Sequence, residues 1–520
     1  MSTTVPDALA EPRPDSAQGS GRNTIALLFA GLMVTQLLAS LNQTVLSTAL
    51  PTIVGELGGV NQMSWVITGY ILASTIMMPI YGRISDLLGR KPVIIAAILI
   101  FLAGSVVGAL APDIWWLIVS RVIQGIGGGG LMILSQAAIA DVIPARDRGR
   151  YMGIMGAVFA VSSVAGPLIG GWLTEGPGWR WAFWLNLPLG LLAILAAVFF
   201  LKLPRRRSAA GRIDYLGMAL LAAATTSIVL VCTWGGHQYA WVSPQIAGLI
   251  VASVALAALF VVVERRAEQP VIPMTLFADR NFALSTVAAL LIGVMMFGAI
   301  GYFPTYLQMV TGVDATRAGL LMAPMMGSLL VASILSGQLV SRTGRYKKFP
   351  LIGTVVMGAG LALMAALTVD SPIWWMCTVL GVFGVGIGLS NQILTLIVQN
   401  SVPNRIVGTA TAASNYFRQV GATIGSAIVG SMFVQRLGES IAERLPDLGS
   451  DGAGGINSLT PDVVSNLPDA LRLPIIESYN EALLPIFLFM VPLAALAFIV
   501  LLFLRETSLA TRIERERERS

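Results

Sequence analysis

Two groups of residues in this chain have types and spacing suited to charge-controlled chemistry rather than bond-making. One is the run Gly82-Arg83-Ile84-Ser85-Asp86-Leu87-Leu88-Gly89-Arg90-Lys91, set between two long apolar stretches. Its glycines permit a tight turn and close backbone approach. Asp86 brings a negative charge that the N-terminus of a neighbouring helix would receive. The other is a pair of arginines, Arg121 and Arg418, inside apolar runs. A charge buried in a membrane span is costly and marks a functional position by default. The competing reading of Arg121 is an arginine snorkelling to the interface from about two turns below it.

Covalent and metal chemistry find no support. The one histidine, His237, lies in a polar connection, and the two cysteines, Cys232 and Cys377, lie in apolar runs. Neither a disulfide framework nor a metal-ligand spacing can be built from them. The glycine-rich Gly384-Val385-Gly386-Ile387-Gly388 follows no strand, and there is no Walker lysine, so a nucleotide site is rejected. The expectation is a protein that is not an enzyme and holds no metal or cofactor.

The elements that position these residues are membrane spans. Of 520 residues, 55% are hydrophobic and 12% charged, about half the charge of a soluble domain. The mean hydropathy is +0.78. A helix needs about 20 apolar residues to cross the bilayer core. That window predicts spans at 24–48, 63–84, 92–111, 114–140, 151–173 and 182–201, then 215–233 and 245–263. Six more follow at 282–306, 317–340, 349–369, 373–399, 405–431 and 483–504, fourteen in all. The first is too long for a signal-peptide core and is expected to be retained.

With the N-terminus inside, 26 of the 33 basic residues fall in cytoplasmic connections and tails, five fall outside, and two lie within spans. This bias predicts that both termini are cytoplasmic. The clusters form no stripe, so nucleic acid is excluded as a partner. The expected organisation is a disordered tail 1–22, a six-helix bundle 23–201, a linker 202–213, two inserted helices 214–264, a linker 265–281, a second bundle 282–504 and a tail 505–520. Within the second bundle an external loop, 432–482, reads as amphipathic helical pieces around a glycine-rich centre.

An internal repeat relates the two bundles. Gly82, Gly89 and Arg90 match Gly337, Gly344 and Arg345 at an offset of 255. At an offset of 259, Ile114-Trp115-Trp116 matches Ile373-Trp374-Trp375. The same offset relates Gly125, Gly127 and Gly129 to Gly384, Gly386 and Gly388, and Pro144, Arg146 and Gly149 to Pro403, Arg405 and Gly408. Parallel six-helix halves are the plan of alternating-access transporters of the major facilitator type, with substrate bound between the halves.

Three motifs carry a resemblance to that superfamily. The run Gly82 to Lys91 resembles its signature loop, which implies that Asp86 and Arg90 latch the cytoplasmic side in one state and release it in the other. Asp141, at the cytoplasmic end of the fourth span, is a candidate partner for Arg90. Ser341 stands where Asp86 would recur, so a one-sided latch is expected. The second motif is Arg121-Val122-Ile123-Gln124-Gly125-Ile126-Gly127-Gly128-Gly129-Gly130. The third, Gly153, Ser162, Gly166, Pro167, Gly170 and Gly171 in the fifth span, resembles the antiporter signature of drug exporters; in the repeat copy Gly425 is kept and Ser426 replaces Pro167. With Thr44, Trp179 to Phe183 and Asn415 to Gln419, these resemble the fourteen-span drug:proton antiporter family over about residues 24–505. The resemblance implies a bacterial plasma-membrane exporter of amphipathic molecules, driven by the proton gradient, and a monomer is expected.

One position departs from the family. Members usually carry an acid in the run that here reads Leu41-Asn42-Gln43-Thr44, and this chain has Asn42. All 27 acidic residues fall outside the expected span interiors. Asn42 and Arg121 both lie on the order of 10 Å below the outer boundary at about 1.5 Å per residue, so an Arg–Asn contact is expected where an Arg–Asp pair is usual. Asparagine does not titrate. Either coupling has moved to an edge acid such as Asp141 or Glu481, or it is weak, or the substrate is not a simple cation. Gln43, Trp65, Tyr70, Gln124, Asn391, Gln392, Asn415 and Arg418 are further candidates for the pathway. Two alternatives are an exporter or flippase of a lipid or specific metabolite, and a non-transporting receptor on this fold.

Overall fold

In lipid every backbone N–H and C=O must be satisfied within its own segment, so apolar stretches of this length become helices. The computed structural model describes residues 18–57, 62–201, 213–236, 238–313, 315–445, 463–464 and 467–509. Among them are fourteen helices long and apolar enough to cross a membrane. Two isolated bridges, Ile213 with Gln269 and Gly235 with Tyr239, are the only strand-like pairings of the described residues.

The first bundle comprises α1 (Gln18–Leu57), α2 (Met63–Leu88), α3 (Arg90–Ala109), α4 (Ile114–Val142), α5 (Ala145–Glu175) and α6 (Trp181–Phe200), which is interrupted at Leu185. Then come α7 (Tyr215–Trp234) and α8 (Pro244–Glu264). The second bundle comprises α9 (Arg280–Thr311), α10 (Arg317–Thr343), α11 (Lys348–Ala365), α12 (Ile373–Asn400), α13 (Val407–Arg444) and α14 (Asp469–Leu502). Local chemistry sets several starts. Asp113 caps α4 by accepting from the Trp115 and Trp116 amides, Asp214 caps α7, and Asp279 caps α9. The α2–α3 turn passes through Gly89 at φ +92°, and the matching turn after α10 passes through Gly344 at φ +73°. Only glycine takes that backbone without strain.

Packing repeats the sequence repeat. In the first bundle α1 packs on α4, α5 and α6, α4 on α2 and α3, and α3 on α6; the second bundle reproduces every one of these pairs with α9 to α14. The repeated glycines explain why. Gly125 and Gly129 lie against the α2 backbone at Tyr70 and Ser74, and Gly127 lies against α3 at Ala97 and Phe101. Gly384 and Gly388 lie against α10 at Met325 and Leu329, and Gly386 against α11. A side chain at any of them would push a helix away.

The halves meet along two seams, α2 with α13 and α5 with α10, and α4 and α12 touch the opposite half beside them. The inserted helices have no counterpart in the repeat. α7 packs on both α2 and α13, and α8 packs on α7. Two ends of the bundle can be told apart. The basic end carries the Gly89 and Gly344 turns and the starts of α5 and α13; the far end carries exposed Trp115, Trp116, Trp172 and Trp374, as an aromatic belt would.

Four boundaries differ from those expected. Residues 18–22 of the expected tail already belong to α1. α5 starts at Ala145 rather than 151, because Pro144 supplies a ready N-terminal φ. The pieces Val434–Arg444 and 469–482 are not separate amphipathic helices but continuations of α13 and α14 beyond the apolar windows. Arg444 ties these two extensions together by pairing with Glu477 and Glu481. Most of the expected tail 1–22, the linker 202–212, His237, the glycine-rich centre of 432–482 and the end of the tail 505–520 lie outside the described residues.

Candidate functional site

The residues of the expected latch assemble where α2 ends. Asp86 accepts from the Gly408 amide at 3.3 Å and from the Thr409 amide and Thr409 Oγ1, both at 2.6 Å. It therefore sits on the first turn of α13, where unpaired amides and the helix dipole favour an anion. Arg90 lies between two carboxylates: its Nη2 is 2.5 Å from Asp86 Oδ1 and its Nε 3.1 Å from Asp141 Oδ2. All three side chains are nearly sealed from solvent. A Cβ on Gly408 would collide with the Arg90 guanidinium, and one on Gly82 with Ala412. Lys91 stands apart from this cluster, donating to the Val198 carbonyl at 2.6 Å.

The other seam is pinned at the same end. Arg146 donates to the carbonyls of Ser341 and Arg342, both at 3.2 Å, and Ser341 Oγ accepts from the Arg150 amide at 3.2 Å. Gly149 and Gly337 bring their backbones together, and Gly153 rests on Ser333 of α10. Ser341 thus makes the same kind of contact as Asp86, without the charge.

Arg121 is buried in the first bundle. It donates to Asn42 Oδ1 at 2.8 Å, to Gln124 Oε1 at 2.7 Å and to the Val66 carbonyl at 3.3 Å, and its guanidinium lies 4.3 Å from the Tyr70 ring centroid. Gln124 continues to Ser105, which also accepts from Asn186. Residues from α1, α2, α3, α4 and α6 are thus tied to one cation. Among the described residues no carboxylate pairs with it. Snorkelling is excluded, since Arg121 is 3% exposed.

The third motif splits between two partners. Ser162 offers its carbonyl to Thr44 Oγ1 at 3.0 Å, and side chains on Gly166 and Gly170 would collide with Thr44 and Thr48. This holds α5 tight against the α1 stretch that carries Asn42. Gly153 instead faces the opposite half, Gly171 has open space beside it, and Pro167 lies within the helix.

Arg418 forms the centre of a second network. It donates to Asn391 and Asn415; Asn415 donates to Gln136 Oε1 of α4 at 3.2 Å, and Gln399 donates to the Gln136 carbonyl and to Thr411 Oγ1, each at 3.3 Å. The network joins the two halves. Gln392, also on α12, is buried close to Gly156 of α5. Gln136, Gln399 and Thr411 were not identifiable from sequence. They lie on helices polar on no consistent face, so periodicity did not separate them from packing residues.

A cavity of about 620 Å³ opens between the halves toward the far end. Its wall includes Gln43, Trp65, Thr68, Phe297, Tyr302, Gln419 and Thr423, with Cys232, Thr233, Trp234 and Gln238 from the inserted region. Among the described residues no charged side chain lines it. Of the expected pathway residues, Gln43 and Trp65 are on this wall. Asn42, Tyr70, Gln124 and Arg121 are not, because they bond inward to one another or pack against helices; Asn391, Gln392, Asn415 and Arg418 lie along the seam, not on the wall.

Comparison with known proteins agrees with this architecture. The family model for the Major Facilitator Superfamily matches residues 32–426. A Mycobacterium tuberculosis protein described as an uncharacterized MFS-type transporter is 40% identical over 484 residues, spanning 93% of this chain and 70% of that protein. Multidrug resistance protein 3 of Bacillus subtilis is 31% identical over 494 residues, 93% of this chain and 96% of its own. The solved structure of the proton:xylose symporter XylE superposes with a TM-score of 0.61 at 14% identity, covering 94% of this chain and 97% of that one, a likeness of fold. The chain is a multi-pass membrane transporter, not an enzyme, and it belongs to the major facilitator superfamily.

Proposed function

We propose that the protein exports amphipathic small molecules by proton-coupled alternating access, with its basic end and both termini in the bacterial cytoplasm. The observation that carries this reading is the cavity between the halves, whose wall joins aromatic rings to uncharged amides and hydroxyls. Such a wall suits a ligand with an apolar body and a few polar groups. The halves are pinned at the basic end on both seams, and beside the α2–α13 seam a cavity opens toward the other end, which corresponds to an outward-open arrangement; α5 and α10 stay in contact along their length. Relatives named as multidrug transporters support the substrate class.

The missing acid at Asn42 bears on both substrate and coupling. With Arg121 lacking a carboxylate partner, the centre of the first bundle favours neutral or anionic ligands over cations. Coupling then falls to an acid at the edge. Glu481 is in a half-exposed surface pair with Arg444, remote from any cross-half contact. Asp141 shares Arg90 with Asp86 and is the acid placed to link a proton to the latch. Arg90 also donates to Ser85 Oγ, so the cation is held by the α2 end and by Asp141 of α4 together.

The test is efflux of Nile red, an uncharged amphipathic dye, from cells with and without the protein, before and after adding an uncoupler. Faster efflux that collapses with the uncoupler is expected, with weaker efflux of the cation ethidium. Equal dye levels in all conditions would overturn the reading.

A further inference from the structure

The inserted helices are extra to the repeat, yet α7 lies directly against the α2–α13 seam. Two contacts fix it to both halves, and a third ties the connection after α8 to α2. Thr225 Oγ1 is 2.9 Å from Tyr416 OH on α13, the Trp234 ring meets Trp65 of α2 at 6.4 Å between centroids, and Gln269, beyond α8, accepts from Arg83 of the latch motif. The last turn of α7 then contributes Cys232, Thr233 and Trp234 to the cavity, and Gln238 follows just past it. α8 lies on the far side of α7, with most of its surface exposed, as a lipid-facing helix would be.

We infer that α7 is a recognition wall: it closes the α2–α13 side of the transport cavity against lipid, and Trp234 and Gln238 set which amphipathic molecules are accepted. The inference rests on the cavity being the transport site. Without α7, the gap between α2 and α13 would open sideways into the bilayer at the level of Trp65 and Gln419. With it, a substrate meets an indole stacked edge-on against Trp65 and an amide at Gln238. The ligand class is a neutral molecule with a flat aromatic part, which the two indoles contact, and a hydrogen-bonding group for the amide. Among the described residues the inserted helices pack on α2 and α13 and make no comparable contact with α5 or α10, so selection is concentrated on one side of the cavity.

Cys232 provides a reporter on this wall. In a Cys377→Ala background it is the single thiol, and N-ethylmaleimide is expected to label it at the cavity surface. Nile red at saturating concentration should slow that labelling severalfold. Trp234→Ala and Gln238→Ala should change the Nile red-to-ethidium efflux ratio at least threefold, while Val251→Ala on the exposed face of α8 leaves the ratio as it was. Wild-type efflux of Nile red with unprotected Cys232 and an unchanged ratio in both variants would overturn the role of α7 and leave the transport reading standing. Absence of efflux in the wild type would instead overturn the transport reading itself. Purified Trp234→Ala protein with a wild-type thermal midpoint separates altered selection from misfolding.

Discussion

The two seams at the basic end make the same contact with different chemistry. On one, Asp86 accepts from the Thr409 amide at 2.6 Å; on the other, Ser341 accepts from the Arg150 amide at 3.2 Å. Asp86 and Ser341 are repeat mates, as are Thr409 and Arg150. The repeat has therefore kept a side-chain oxygen on the same turn of the facing helix and dropped the charge in one copy. A bond to a charged group contributes about 1.5–3 kcal/mol net, a neutral one about 0.5–1.5 kcal/mol. The α2–α13 seam also holds Arg90 between two buried acids and carries α7 across its face. On the proposed alternating-access reading, control of opening is concentrated there, and the α5–α10 seam is the weaker, neutral one.

The largest effect that would break this contrast is Asp86→Asn. It removes one of the two carboxylates around a sealed guanidinium and the charge on the first turn of α13. Breaking a buried pair costs about 3–5 kcal/mol, so the closed seam should lose about 3 kcal/mol, roughly a hundredfold in its population. Spin labels at Asp147 and Lys348, on opposite halves at the basic end, should show a longer mean separation, and Nile red efflux should nearly vanish. Wild-type distances in the variant would mean that the charged seam is no stronger than the neutral one.

Next in size is Gly408→Ala. Its methyl would occupy the place of the Arg90 guanidinium, forcing the cation away from Asp86 and Asp141. Overpacking of this kind costs about 1–3 kcal/mol, roughly tenfold in closure. The repeat mate Gly149→Ala meets the Gly337 carbonyl and the Ser341 hydroxyl, and no ion pair is displaced. A smaller loss of efflux is expected there. Equal losses would show that close approach alone, without the ions, governs both seams.

Asn42→Asp asks whether charge deeper in the first bundle matters as it does at the latch. The new carboxylate would lie at the Asn42 position, 2.8 Å from Arg121, next in the chain to Gln43 of the cavity wall. Cancelling that charge should favour cations by about 1 kcal/mol, roughly a fivefold rise in the ethidium-to-Nile red ratio. The variant also gains a titrating group, so its efflux should acquire a pH dependence absent from the wild type at this position. An unchanged ratio and an unchanged pH profile would remove Asn42 from the account of selectivity.

How far the sequence reached follows from which signals survive in an apolar chain. Charge and glycine spacing are rare enough to be read: they revealed the spans, the repeat and the meeting of Arg121 with Asn42, since depth along two helices could be counted. Rotation about a helix axis could not be counted. Membrane helices here are apolar on nearly every face, so nothing assigned Gln136 or Gln399 to the interface between halves, or withheld Tyr70 from the cavity. The ends of α13 and α14 were missed because hydropathy falls where the helices leave the apolar window, although Arg444 and Glu481 keep them helical beyond it. The place of α7 was hidden for another reason: an inserted helix has no repeat mate whose packing predicts its own.

The smallest expected effect sharpens the comparison most, because it isolates the neutral seam. Ser341→Ala deletes one hydroxyl bond to the Arg150 amide and leaves both Arg146 bonds to backbone carbonyls. The loss should be about 1 kcal/mol, roughly fivefold or less in closure, with efflux only slightly slowed. The informative companion is the exchange Asp86→Ser with Ser341→Asp. If the two seams differ only in the charge of one side chain, moving the acid across should restore closure measured between Asp147 and Lys348. If Arg90 and Asp141 are what make the α2–α13 seam strong, the exchange leaves Arg90 with one acid and closure stays as poor as in Asp86→Asn. We expect the second outcome, since Arg146 at the neutral seam is bonded to backbone and is not sealed between carboxylates as Arg90 is.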